Sequence, residues 1–341
     1  MLMKARTTAA TGTWTAGLAV ALIASIAVAV AFGPADLSAA DVTRTILAHL
    51  GLGDAPLSPA RDAIVWELRV PRALTAVAVG AGLAVCGVVM QSITRNPLAD
   101  PYLLGLSSGA SFGAVLVIVL GVPFALAPAA FLGSGAAMLV TLLVAGAAGV
   151  LTPTRTILAG LAVSAVFGAL TSLVIFLAAT GDTYREILGW LLGSLAGARW
   201  ESLAIAAGAF LVLGVPLLFA GRVLDAFAFG DRSAAALGIP VEQSRWVLLG
   251  ACAVLTGALV SVSGAIGFVG LVLPHAVRLV VGAGHRALLP LSALAGGLFL
   301  LWADTIARTV VDPRELPVGV VTALVGGPVF AALLLRRGSA R

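Results

Sequence analysis

The chain has 341 residues, of which 60% are hydrophobic and 10% are charged, and its mean hydropathy is +1.12. A soluble domain carries roughly 25% charged residues, so this composition excludes a water-soluble enzyme, a disordered chain and a disulfide scaffold. The apolar residues fall in long runs, which predicts an all-α integral membrane protein. The net charge of +5 then indicates membrane topology rather than a nucleic-acid partner.

Eight uncharged stretches can hold transmembrane helices: 7–35, 73–94, 101–154, 156–181, 202–221, 246–274, 287–303 and 316–335. One span needs about 20 residues, so 101–154 must hold two, with a break near Gly121, Pro123 and Pro128. The apolar region of a signal peptide has about 7–15 residues, which is shorter than 7–35, and we expect this first stretch to remain as a span.

Loop charges predict the orientation. Lys4 and Arg6 precede the first stretch, and Arg336 and Arg337 follow the last one, so both termini are expected in the cytoplasm. Two cytoplasmic termini require an even number of spans. A tenth span is therefore predicted within 246–284, after a turn at Gly264 and Gly267, as a short helix over 266–282 that Pro274 interrupts.

Two polar segments have helical patterns. Residues 182–200 are amphipathic, which is typical of an interfacial segment. Residues 222–240 are predicted to form a short cytoplasmic helical hairpin ending at Gly238, a C-cap residue. These residues serve either as a connector or as a docking surface, and their apolar faces favour docking because a connector needs fewer residues.

The residues that catalysis would need are missing. The only lysine is Lys4, so no phosphate-binding loop of the form G-x-x-x-x-G-K-[ST] exists, and neither H-E-x-x-H nor C-x-x-C occurs. We predict no catalytic residue, no metal site and no cofactor in this chain; ATP, if used, is hydrolysed with Mg²⁺ on another subunit. Asp304 and Arg308 are spaced i, i+4 and are expected to neutralise each other. His275 is either a hydrogen-bonded interior residue or a metal ligand, and the first is favoured.

Glycine and proline patterns suggest packing and a pathway. Gly105, Gly109 and Gly113 form a small-residue stripe for close helix packing. Two prolines in 96–101 make that segment rigid, so it is either a wall or gate of a pathway or a structural turn. Residues 77–97 and 257–274 are weakly similar, which predicts inverted repeats.

Several segments together resemble the FecCD-type permease subunits of bacterial ABC importers for ferric siderophores, haem and vitamin B12. They include Asn96-Pro97-Leu98-Ala99-Asp100-Pro101, and they lie in order at 69–72, 87–91, 94–101, 104–109, 237–239, 264–275, 303–308 and 315–323. The resemblance implies one permease domain over 1–341, with ten transmembrane helices and inverted repeats (the type II importer fold), in the bacterial cytoplasmic membrane. It also implies a second permease copy, making a homodimer, two cytoplasmic ATPase subunits and an extracytoplasmic substrate-binding protein.

The resemblance also assigns roles to residues. Arg69, Arg72 and Arg308 would capture acidic residues of the binding protein; the alternative is that Arg308 pairs with Asp304 while the other two anchor at lipid headgroups. Asn96, Pro97 and Leu98 would close the cytoplasmic end of the pathway. Within the coupling segment 222–240, the following residues would contact the ATPase: Gly230, Asp231, Arg232, Ser233, Ala234, Leu237 and Gly238.

The expected activity is import of a ferric siderophore by alternating access, with haem or vitamin B12 as the alternative substrate. A secondary transporter is the rival class, although the proton- or ion-carrying acids typical of such proteins are scarce in this chain. An intramembrane enzyme is a third class.

Overall fold

The computed structural model describes residues 2–33, 37–53, 58–122, 125–147, 152–311 and 314–338, which contain helices and no strand. The α-helices are α1 (Leu2–Ala31), α2 (Ala39–His49), α3 (Pro59–Ala63), α4 (Val70–Ile93), α5 (Leu106–Val119), α6 (Leu126–Gly146), α7 (Pro153–Ala178), α8 (Gly181–Leu191), α9 (Trp200–Ala209), α10 (Val215–Leu218), α11 (Gly221–Ala228), α12 (Asp231–Ala236), α13 (Val241–Ser263), α14 (Val269–Val281), α15 (His285–Ala307) and α16 (Val318–Gly338). Two π-helical turns, Ile64–Arg69 and Phe210–Gly214, join α3 to α4 and α9 to α10.

Seven of these helical segments are long and apolar enough to cross a membrane: Gly12–Ala31, Pro59–Ile93, Leu126–Gly146, Pro153–Ala178, Trp200–Leu218, Val241–Ser263 and His285–Ala307. Three shorter apolar helices, α5, α14 and the Val318–Leu333 part of α16, bring the number in the described parts of the chain to ten. This is the number that the loop charges predicted.

The breaks between helices lie near the predicted positions. α5 ends at Val119 and α6 begins at Leu126, and Gly121 between them has φ +68°. Pro123 lies outside the described residues, and Pro128 lies in the first turn of α6, where a proline is tolerated. The hidden tenth span is present as α14, separated from α13 by Gly264 with φ +65°.

The predicted interruption at Pro274 is wrong, because this proline lies inside the continuous helix α14. A proline at this position leaves the carbonyl of Gly270, one turn earlier, without its helical donor. Gln91 of α4 supplies a donor: its Nε2 lies 3.4 Å from Gly270 O and 3.1 Å from Leu271 O. This side chain therefore compensates for the missing amide.

The second span begins at Pro59 rather than at residue 73. The charged residues that marked its start in the sequence, Arg69 and Arg72, lie within this continuous helical segment. They are accommodated there because both guanidinium groups have hydrogen-bond acceptors inside the bundle.

Close helix contacts are made at glycines. A Cβ added to Gly80 of α4 would lie 2.2 Å from the Gly296 carbonyl oxygen of α15, so these two backbones touch. Gly109 and Gly113 of α5 approach Gly133 and Ala129 of α6 in the same way. The predicted packing role is confirmed for Gly109 and Gly113, in agreement with small-residue packing in membrane bundles. Gly105 instead precedes α5 with φ +79° and lies against α7.

The antiparallel pair α4–α15 defines the two ends of the bundle. Arg72 in the first turn of α4 bonds Asp304 near the end of α15, and Ser92 in the last turn of α4 contacts His285, the first residue of α15. At 1.5 Å per residue, Arg72 and Ser92 are about 30 Å apart, the thickness of a bilayer's hydrocarbon core. We call the two ends the arginine end and the hairpin end.

Candidate functional sites at the two ends of the bundle

Arg72 is the centre of an ion cluster at the arginine end. Its Nε and Nη2 donate to the carboxylate of Asp304 at 2.9 Å each, a bidentate pair, and its Nη1 donates to Glu315 at 2.8 Å. Arg72 and Asp304 are buried, whereas the Glu315 side chain is 34% exposed. A planar guanidinium fork suits such double carboxylate recognition.

Arg69 and Arg308 cap the C-terminus of α1. The last carbonyls of a helix lack intrahelical donors and carry partial negative charge, which cations stabilise. Arg69 Nη1 donates to Val30 O at 3.2 Å and to Ala31 O at 3.0 Å, and Arg308 Nη2 donates to Ala29 O. These long-range contacts give both arginines a structural role that their spacing in the sequence did not indicate.

The expected neutralisation of Arg308 by Asp304 is wrong. Both oxygens of Asp304 are engaged by Arg72, which lies 232 positions away in the chain. Arg308 turns instead to the end of α1. The i, i+4 spacing places the two residues on one helix face, but the bidentate geometry of Arg72 provides the stronger pair.

A cleft of about 420 Å³ opens at the arginine cluster, and its lining includes Arg69, Arg72, Arg308 and Glu315. Three arginines and two carboxylates, Asp304 and Glu315, leave this cluster with an excess of one positive charge. Arg308 Nε is buried and has no hydrogen-bond partner among the described residues. The excess positive charge of the cluster favours an anionic group at this cleft.

The predicted helical hairpin is present at the opposite end as α11 and α12. Gly230 precedes α12 with φ +97°, and an added Cβ there would lie 3.2 Å from a guanidinium nitrogen of Arg95. After α12, Ile239 N donates to Ala234 O and Gly238 N donates to Ala235 O, with Gly238 at φ +79°. This pattern is a Schellman motif, as expected of a C-cap glycine.

The residues of the hairpin divide between two faces. Ala234 is fully buried, and Asp231 forms an ion pair with Arg245 of α13 at 2.9 Å, so both hold the hairpin to the bundle. Arg245 also lies over the Phe227 ring. In contrast, Arg232, Ser233 and Gly238 are exposed, and Leu237 is 70% exposed. The exposed set forms a surface that includes a large apolar side chain.

The segment from Asn96 to Leu98 is a defined turn. Leu98 N donates to Asn96 Oδ1 at 3.0 Å, and Ala99 N donates to the Asn96 carbonyl at 3.0 Å. Asp100 then accepts from Tyr102 N at 2.8 Å. Asn96 and Pro97 are half-buried and Leu98 is exposed. The turn is held by its own hydrogen bonds, and either a gate or a connection can have this geometry.

Metal-binding clusters are not apparent in the described residues. No group of three or more His, Cys, Asp or Glu side chains that could hold a metal ion occurs among them. Residues 105–109 and 109–113 match the serine-hydrolase pattern G-x-S-x-G, but that pattern needs a strand before the serine. Here it coincides with the glycine stripe of α5.

The architecture, with ten apolar helices and distinct polar sites at the two ends, is that of a multi-pass membrane permease. The chain belongs to the FecCD transport family, whose model matches residues 21–336. Proteins of this family are membrane subunits of ABC importers, and ATP hydrolysis occurs on separate subunits.

Two relatives and one solved structure illustrate the similarity. Over 277 residues the chain is 44% identical to the cobalamin import system permease BtuC of Halobacterium salinarum (80% of this chain, 74% of that one). Over 289 residues it is 43% identical to the hemin transport system permease HmuU of Yersinia pestis (81% and 85%). The structure of a metal-chelate type ABC transporter in an inward-facing conformation covers 94% of this chain and 98% of its own, with 32% identity and a TM-score of 0.83.

Proposed function

We propose that this chain imports a metal chelate, a ferric siderophore, across the bacterial cytoplasmic membrane, with both termini in the cytoplasm. In this proposal two copies form a homodimer that binds two ATPase subunits and one extracytoplasmic binding protein. Membership of the FecCD family carries the proposal, and the two differently equipped ends support it. The hairpin end offers an exposed surface for an ATPase, and the arginine end offers a positively charged cleft.

The relatives' names favour a second candidate substrate. One relative is named for cobalamin and another for hemin, so haem or vitamin B12 is the alternative cargo. Uptake of ⁵⁵Fe-ferrichrome, ⁵⁵Fe-haem and ⁵⁷Co-cobalamin by cells with and without the gene separates the three. Loss of ferrichrome uptake alone supports the siderophore proposal, whereas loss of only haem or cobalamin uptake contradicts it.

The hairpin is proposed as the docking element for the ATPase. Leu237 (70% exposed) and Phe229 (78% exposed) are large apolar side chains exposed on this hairpin, and exposed apolar patches rimmed by polar residues mark interaction sites. Leu237→Asp should lower the ATPase recovered with the permease by at least about tenfold, since a charge would replace an interface core residue. Leu52→Asp is the matched control, because Leu52 is also 70% exposed but lies in the segment between α2 and α3, outside the hairpin. Equal recovery from the two variants would refute the hairpin assignment.

The arginine cleft is proposed as the socket for acidic residues of the binding protein. Arg308 is the clearest contact, because it lines the cleft and its guanidinium bonds a backbone carbonyl, whereas Arg72 already holds two carboxylates. Charge reversal of Arg72 would oppose it to buried Asp304 and damage the fold, so neutral variants are the better test. Arg308→Gln keeps an amide that can cap α1 and removes the charge.

A positive charge that lines a docking cleft steers an acidic partner during encounter, which acts mainly on the association rate and its salt dependence. Arg308→Gln and Arg69→Gln should therefore slow binding-protein capture at low salt and flatten the dependence on salt. Arg44→Gln, an exposed arginine of α2, is the control for general charge. If Arg308→Gln and Arg69→Gln capture the binding protein at the same rate as Arg44→Gln, the socket proposal is contradicted.

The Asn96–Leu98 turn is proposed to close the cytoplasmic end of the pathway. Its internal hydrogen bonds would let it move as a unit between two states. Asn96→Cys and Leu98→Cys should react with a water-soluble maleimide at rates that depend on nucleotide, and the two native cysteines are buried. Rates that are the same with and without ATP would favour a structural turn.

A further inference from the structure

A chain of three polar side chains joins the hairpin to the two central helices at the hairpin end. His285, the first residue of α15, has its Nδ1 2.6 Å from Asp225 Oδ1 of α11, and its Nε2 contacts Ser92 Oγ of α4. His285 and Ser92 are buried, and Asp225 is half-exposed. We call Asp225, His285 and Ser92 the clasp.

The clasp also caps the first turn of a helix. The backbone N–H of His285 donates to Asp225 Oδ1 at 3.0 Å, so a carboxylate of α11 caps the N-terminus of α15. A carboxylate is stabilised there by the unpaired N–H groups and by the positive end of the helix dipole. A Cβ added to Gly221 would lie 3.1 Å from Arg286 N, so the start of α11 lies directly against the same turn.

A serine protease uses the same three side chains, but hydrolytic chemistry does not fit this site. None of the cavities described for the chain is lined by Ser92 or His285. The Ser92 hydroxyl also lies 2.8 Å from Val88 O, its acceptor one turn earlier in α4. Hydrogen-bonded side chains with buried members, here His285 and Ser92, fix the relative position of the elements that carry them.

The helices held by the clasp extend to the opposite end. α4 and α15 touch along their length at Gly80 and Gly296, and at the arginine end Arg72 and Asp304 join them again. A helix pair locked at both ends and in backbone contact between them moves as one body. If the hairpin is displaced, this pair can carry the displacement over about 30 Å to the arginine cleft.

We propose that the clasp Asp225–His285–Ser92 is the joint that transmits ATPase-driven movement of the hairpin to the α4–α15 pair, with His285 as its positioning residue. The joint rests on the proposed function, because it requires an ATPase docked on the hairpin. It acts through helix positions and does not touch ATP or cargo.

Amide hydrogen exchange of the whole chain in lipid nanodiscs tests the clasp without any partner. His285→Ala should accelerate exchange in residues 222–237 by about tenfold or more, because the charge-assisted hydrogen bond between the His285 ring and Asp225 is lost, whereas the backbone cap of α15 remains. Asp225→Asn should have a smaller effect, since its amide oxygen can still accept from the ring Nδ1–H of His285. His49→Ala at α2 is the control for loss of a histidine. Unchanged exchange at the hairpin in both clasp variants would overturn the joint.

A second experiment measures transmission in the complex with ATPase subunits. Spin labels at Leu52→Cys and Leu120→Cys, both exposed, report the ATP-driven distance change at the far end. His285→Ala should abolish most of this change while ATP hydrolysis continues, and His285→Gln, whose amide can both donate and accept, should partly restore it. A full distance change in His285→Ala would overturn the joint. No ATP-driven change in the unsubstituted complex would instead overturn the proposed function.

Discussion

Replacement of Asp304 tests the ion cluster at the arginine end most sharply. Asp304 is almost fully buried and is held bidentately by Arg72, while Arg69 and Arg308 lie in the same cleft. Asp304→Asn keeps the shape of the side chain but leaves three arginines with only Glu315 as counter-ion. Breaking a buried pair from one side costs about 3–5 kcal/mol.

The expected loss converts to a measurable temperature shift. At roughly 2 °C per kcal/mol for a chain of this size, Asp304→Asn should lower the apparent melting temperature by about 6–10 °C. Tryptophan fluorescence of the purified chain in detergent follows the transition.

Glu315→Gln is the matched control, because it removes the other carboxylate that bonds Arg72. The Glu315 side chain is 34% exposed, and a solvent-screened pair contributes about 0–1 kcal/mol. Its shift should therefore stay within about 2 °C. If the two variants melt at the same temperature, Asp304 is not the principal counter-ion of Arg72.

Three further predictions follow from individual contacts. Gly80→Ala should destabilise the chain by about 1–3 kcal/mol, because the new methyl group would lie 2.2 Å from Gly296 O. Gly250→Ala is the control, because a Cβ at Gly250 meets no atom within 4 Å; equal melting temperatures of the two variants would contradict the backbone contact. Gln91→Leu should lower the free energy of unfolding by about 1–3 kcal/mol. The loss should be smaller in a Pro274→Ala background, where residue 274 regains an amide N–H for Gly270 O; equal losses in the two backgrounds would rule out the compensation. Burial raises the pKa of Asp100, which lies between α4 and α5, from 3.8 to about 6. The folded chain therefore binds more protons than the unfolded chain between these pH values, and its stability falls as pH rises through them. Asp100→Asn should stabilise the chain at pH 7.5 but not at pH 3.5, and thermal melts that show the same effect at both pH values would contradict the raised pKa.

The number and order of the helices could be predicted from the sequence because they depend on local properties. The length of the apolar stretches identified most spans. The loop charges placed both termini on the same side, which required an even number of spans and therefore a further helix after Gly264, in a stretch that hydropathy alone reads as one span. The start of the second span could not be found in this way. Charged residues such as Arg69 and Arg72 normally indicate a loop outside the membrane. Their hydrogen-bond acceptors inside the bundle lie on α1, on α15 and at Glu315, and the sequence does not reveal them.

The polar contacts depend on residues that are distant in sequence. The spacing of Asp304 and Arg308 indicated a local pair, but a guanidinium 232 positions away binds the carboxylate more completely. The clasp likewise combines residues 92, 225 and 285, each an ordinary polar residue in its own segment. The chain has 15 acidic residues and three histidines, and the rarity of residues such as Asp225 and His285 was the available signal, since a buried polar group in a membrane bundle needs a partner.

Uptake into proteoliposomes tests the central claim most directly. The permease, its ATPase and the binding protein are reconstituted, and ⁵⁵Fe-ferrichrome entry is followed with ATP supplied to the ATPase side. We predict uptake that requires ATP hydrolysis and continues after a protonophore has removed the proton gradient. Uptake that persists without the ATPase subunit and stops when the proton gradient is removed would contradict an ATP-driven importer and indicate a secondary transporter.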